Sequence, residues 1–141
     1  MSLSQEVWEG PAMIEHAEKG NMEKMRYFLE NVNPPGNINI RGMWNMTMLH
    51  AAAGAGNLDT VDFLLKRTPK PDIEAKTDKG MTPLHTAAGK GECSVVSALI
   101  GVGAVVNAQT KTKATPLLWV SGRTYHCFNS VTMTQPTLTL M

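Results

Sequence analysis

Apolar residues in this chain fall into short helical stripes that recur. Within residues 83–101, Leu84, Ala87 and Ala88 share one face of a short helix. Beyond Gly91, the i, i+1, i+4, i+5 spacing of Val95, Val96, Leu99 and Ile100 predicts a second helix. The same pair stands earlier as Leu49, Ala52 and Ala53, then Val61, Leu64 and Leu65 past Gly56. A first unit supplies Met13 and Gly20 at the matching positions, with Met25, Phe28 and Leu29 as its second stripe. Leu117 opens a fourth. The anchors at 13, 49, 84 and 117 set a period of 33–36 residues, and "MTMLHAAAGAG" (46–56) returns almost unchanged as "MTPLHTAAGKG" (81–91). The alanines let neighbouring helices approach closely. Gly56 and Gly91 stand where a two-helix hairpin turns and a positive φ is needed.

Between the helix pairs lie polar segments, "PPGNINIRGMWNM" (34–46), "KPDIEAKTDKGM" (70–81) and "VGAVVNAQT" (102–110). Each predicts a short extended piece and a turn before the next Thr. Gly80 supplies a positive-φ position in the Asp78-Lys79-Gly80 turn, and Asn45 substitutes at the matching place. A unit of about 33 residues cannot bury both faces of its own helices. Three or more must stack and share a core.

The pattern fails in the fourth unit. Where the third has Gly91, Val96, Leu99 and Ile100, the fourth has Thr124, Asn129, Thr132 and Met133. Residues 123–141 are therefore expected to form a degenerate fourth repeat or an irregular C-terminal cap, because an end unit needs a polar outer face. Glu6, Glu9 and Glu15 suit a solvated N-terminal cap, and residues 66–71 read as a longer, basic loop.

The residues "TPLH", "AA", "G", "VV", "LI", "GA" and "VNA" in 82–108 resemble the ankyrin repeat. The resemblance extends to residues 36–69 and, less fully, to 12–35; after 115 it rests on "TPL". It implies an all-α solenoid of stacked helix-turn-helix units with β-hairpin fingers and a concave face. Repeats then run over about 11–46, 47–81 and 82–114 within a 1–122 unit, with a fourth starting at 115. It also implies that the repeated Thr caps its helix while His50 and His85 hydrogen-bond across the hairpin.

Composition changes the picture little. Hydrophobic residues make up 43% and charged residues 18% of 141, as in a folded chain. The net charge of +1 argues against a general polyanion binder, so no nucleic-acid partner is expected. The charge is uneven: residues 1–35 carry six acids against three bases, and the remainder ten bases against six acids. Cys93 and Cys127 have no metal-ligand spacing and cannot make a disulfide framework. No secretory signal or membrane-length apolar run is visible, so an intracellular location, cytoplasmic or nuclear, is expected without membrane insertion.

Candidate chemistry reduces mostly to structure. His50 and His85 recur at one repeat position and would lie about 10 Å apart, one helix spacing, too far to share a metal. Neither "AAAGAGN" nor "AAGKGE" forms a phosphate-binding loop. No orienting third group accompanies His126 and Cys127. Asp59 and Asp62 read as a solvated helix face. No catalytic set, cofactor or metal is therefore expected. Asn107, in the "VNA" loop, is a candidate for the asparagine hydroxylation seen in some ankyrin proteins, or else braces its loop.

What remains is surface. In ankyrin proteins partners usually dock on finger tips and the first-helix face. Those positions are Arg41, Met43, Trp44 and Met46; Lys76, Asp78, Lys79 and Met81; and Gln109, Lys111, Thr112 and Ala114, with Ala55, Lys90 and Arg123 on the concave helix face. A tryptophan flanked by methionines at a turn is a natural anchor. The lysines suggest an acidic face on the partner. The expectation is a non-enzymatic protein-interaction module, monomeric by itself. The alternative is a regulatory or targeting subunit of a kinase, phosphatase or proteasome-type assembly.

Overall fold

A computed structural model describes residues 9–31, 36–67 and 70–119 of the chain. Among them are six α-helices and no strand: α1 (Gly10–Lys19), α2 (Met22–Asn31), α3 (Met48–Ala55), α4 (Leu58–Leu65), α5 (Pro83–Lys90) and α6 (Cys93–Gly101). Two 3-10 turns, Met43–Asn45 and Pro116–Trp119, complete the regular structure.

The second and third helix pairs open with the same cap, and all three turn on a glycine. Thr47 and Thr82 cap α3 and α5, their side chains accepting from the backbone N–H of His50 and His85. The imidazoles accept in return from the Thr N–H groups, closing a capping box. Gly20, Gly56 and Gly91 end α1, α3 and α5 with φ of 73°, 71° and 76°. At each of the three ends, two backbone N–H groups return to carbonyls of the last turn. The next helix then starts immediately, as in α4, where Asn57 accepts from Thr60 N–H.

The inner helices form one layer: α3 packs between α1 and α5, and the 3-10 turn Pro116–Trp119 covers the far side of α5. The outer helices pack on their inner mates, and α4 also packs on α6. Met13, Leu49 and Leu84 occupy equivalent buried positions, with Ala17, Ala52, Ala53, Ala87 and Ala88 wholly enclosed between layers. The small residues allow the approach: a Cβ on Gly54 of α3 would come within 2.8 Å of Thr86 Cγ2 on α5. On the outer side Arg26 and Arg67 lie over the Phe63 ring, and Arg67 pairs with Glu30 at 2.7 Å. Cys93 lies in the first turn of α6; Cys127 lies outside the described residues.

Hydrogen bonds stitch each repeat to the next at equivalent sites. Asn39 Oδ1 accepts from Asp72 N–H at 2.7 Å, and Glu74 Oε2 from Val105 N–H at 2.9 Å. The carbonyl of Trp44 accepts from Asp78 N–H at 3.0 Å, and that of Lys79 from Lys111 N–H at 3.1 Å. His50 and His85 reach the carbonyls of Met81 and Ala114, both at 2.9 Å.

The fingers are shorter than β-hairpins with paired strands. Each is a tight turn closed by a backbone bond from Gly42 to Met46, Thr77 to Met81 and Thr110 to Ala114, with a second bond inside it from Asn45, Gly80 or Lys113 back to the first residue. The chain re-enters a helix directly after each closure, which leaves no room for a ladder. The fourth unit starts with the 3-10 turn Pro116–Trp119. Residues 120–141, and with them Arg123 and the expected degenerate repeat or cap, lie outside the described residues.

Candidate functional site

The first finger, residues 41–46, is built differently from the other two. In the second and third, a threonine braces the turn from within. Thr77 Oγ1 accepts from the N–H groups of Lys79 and Met81, and Thr110 Oγ1 from those of Thr112 and Ala114. Gly42 occupies that position in the first finger. A Cβ there would lie 2.4 Å from Ile14 Cγ1, so a side chain fits only if Ile14 of α1 shifts. Arg41 braces the turn from outside instead, donating to the carbonyl of Asn45 at 2.8 Å and that of Lys76 at 3.0 Å.

The turn so held places Trp44 in left-handed backbone, at φ 58° and ψ 19°, followed by Asn45 at φ 60°. For a large side chain this conformation costs on the order of 1–3 kcal/mol, and it persists because the Asp78 N–H holds the carbonyl of Trp44 and Arg41 that of Asn45. The result is an indole held outward: Trp44 is 67% exposed and Met43 63%.

Below this tip lies a groove of about 770 Å³ between the fingers and the inner helices. Met43, Trp44, Met46 and Met81 form its outer wall; Ile14 of α1 and Ala51, Gly54 and Ala55 of α3 form its floor. Its charged lining residues are Glu18 on α1, Asp78 and Lys79 on the second finger and Lys90 on α5. Eight surface positions named from the sequence thus converge here: Met43, Trp44, Met46, Ala55, Asp78, Lys79, Met81 and Lys90. Lys76 and Lys111 instead line a separate concavity beyond the second finger, together with Asn107. Thr112 is exposed at the third tip. Ile14 and Glu18 escaped sequence reading. Carrying the concave positions Ala55 and Lys90 back one repeat, to Lys19 and its neighbours, was the available signal.

His50 borders the groove but has no free ring nitrogen. Nδ1 accepts from Thr47 N–H, which can only donate, so the ring proton sits on Nε2 and points at the Met81 carbonyl. Burial lowers its pKa to about 4, and burial lowers that of His85 as well. Both are neutral struts between repeats at ordinary pH.

Asn107 is exposed. It occupies the repeat position of Asn39 and Glu74, whose side chains accept an N–H from the following repeat. Its counterpart donor would fall near residue 138, outside the described residues. Among the described residues no cluster of three His, Cys, Asp or Glu side chains could hold a metal, and no helix is long and apolar enough to cross a membrane.

Comparison with known proteins agrees with the repeat geometry. The family described as ankyrin repeats (many copies) matches residues 13–65 and again 49–100. No curated protein matches the chain.

Proposed function

Because this chain belongs to the ankyrin repeat family, whose members are generally non-enzymatic protein–protein interaction modules, we propose that it binds a partner protein in the groove beneath Trp44. The partner lays an apolar side chain between Trp44 and the α3 floor, while Lys79 and Lys90 meet acidic groups on its surface. One observation carries this reading: a strained tryptophan is held two-thirds exposed over an apolar groove. Leaving such a surface in water is unfavourable by roughly 25 cal/mol per Å² of apolar area. A tip fixed in advance loses little conformational entropy on docking. The binding mechanism is preorganisation of a rigid surface, with the lysines steering encounter. The protein acts as a monomer presenting one such face.

The test is affinity capture with three forms of the protein. Wild type and a Lys66→Glu/Lys70→Glu variant, altered away from the groove, are expected to recover the same partner equally. Lys79→Glu/Lys90→Glu is expected to lose it. Equal loss from both variants, or from neither, would place the contact elsewhere.

A further inference from the structure

The second concavity, on the far side of the finger at 77–81, differs in chemistry from the groove. It measures about 600 Å³ and is lined by Lys76, Lys111 and Lys113 with Thr77, Asn107 and Gln109. The three lysines come from two successive repeats and are exposed. None forms an ion pair with a carboxylate among the described residues. Lys76 lies near enough to act on the Glu74 carboxyl, whose Oε2 accepts from Val105 N–H. Lys113 also holds φ 67°, where the second finger has Gly80 at φ 80°. Three ammonium groups around one open basin repel one another, and a multivalent anion relieves that repulsion.

We infer that this basin is a binding site for a phosphate group carried by a segment of the partner protein. A phosphorylated side chain brings about −1.5 to −2 charges and three acceptor oxygens. That matches three lysines flanked by the amides of Asn107 and Gln109 and the Thr77 hydroxyl better than one carboxylate does. A protein carrier is favoured over a membrane because Thr77 lines both the basin and the apolar groove. One bound segment therefore reaches both. A broad anionic surface would also meet the acidic first repeat, whose 35 N-terminal residues hold six acids against three bases. The assignment extends the groove reading, yet it is testable without the groove partner.

The experiment is an amide-shift titration of the full chain at constant ionic strength. The probes are inorganic phosphate, a phosphoserine tripeptide and its unphosphorylated counterpart. Saturable shifts confined to residues 76–80 and 107–113 are expected with the two phosphate probes and not with the third. Lys111→Ala/Lys113→Gly is expected to weaken binding at least tenfold, and glycine at 113 suits the turn, so the fold is retained. Lys66→Ala/Lys70→Ala and Trp44→Gly are expected to leave phosphate binding unchanged, which separates failure of this site from failure of the groove. Shifts no larger than those from chloride, or shifts indifferent to the double variant, would overturn the assignment. A parallel arm uses phosphoinositide vesicles, and binding to them without binding to the phosphopeptide would also overturn the assignment, in favour of a membrane.

Discussion

The fingers at 41–46 and 76–81 are the same length, close with the same backbone bond and stand on equivalent helices, yet their tips are chemically opposite. The first offers Met43 and Trp44 and bends through two non-glycine residues of positive φ. The second offers Asp78 and Lys79 and bends through Gly80 alone. The scaffold is indifferent to this exchange, because the bonds joining successive repeats use backbone groups at the tips and side chains only at the base. Repetition therefore fixes where a tip stands, and tip sequence decides what it presents. Relaxed backbone was retained at the charged tip, whereas strain is tolerated at the apolar one.

Removing what the two fingers share should have the largest effect. Leu84 is buried in the layer under the second finger. Leu84→Ala is expected to destabilise by about 2–5 kcal/mol in urea unfolding, through lost burial and a residual cavity. Acid comes next. The folded pKa of His50, about 4, lies below the ordinary value of 6.5, so the unfolded chain takes up the proton more readily. Stability is then complete above pH 6.5 and falls as pH drops from 6.5 toward 4. At about 1.4 kcal/mol per pKa unit the loss is on the order of 3 kcal/mol. His85 acts in the same direction. Unfolding midpoints measured across this window should decline in wild type and flatten in His50→Gln.

A smaller effect differs in sign between the two tips. Gly80→Ala places a Cβ at positive φ and 2.9 Å from Lys111 N, and is expected to cost about 1–2 kcal/mol. Trp44→Gly relieves the first turn and is expected to raise stability by up to about 1 kcal/mol. Thermal melts of the two variants should move in opposite directions. Lys79→Ala should shift the melt least, within about 0.5 kcal/mol, as an exposed side chain with no structural duty.

The contrast between fingers also marks how far sequence reading reaches. The repeat, the helix pairs and the buried faces were legible because each repeat writes the same large-small-Gly pattern around Met13, Leu49 and Leu84. The tip positions followed from register, and Asn45 was identifiable as the substitute for Gly80. Less could be read where side chains act across repeats. Arg41 looks like one more surface cation, but its guanidinium is tied to two carbonyls of neighbouring fingers. The strain at Trp44 depends on the missing brace at Gly42, and that on the approach of Ile14, a contact between segments nearly thirty residues apart. Ile14 and Glu18 were missed for the same reason. The division of the lysines, with Lys79 on the groove and Lys76 and Lys111 on the basin, depends on which side of one finger each faces.

The first and second fingers therefore carry separable duties, and one substitution divides them most directly. Trp44→Gly removes the indole while suiting the backbone it leaves, so folding and binding are not confounded. Titration calorimetry of wild type and Trp44→Gly against the captured partner is expected to show at least a tenfold loss of affinity, with an unchanged or higher melting temperature. Equal affinity in the two proteins would contradict the assignment of the groove as the binding surface.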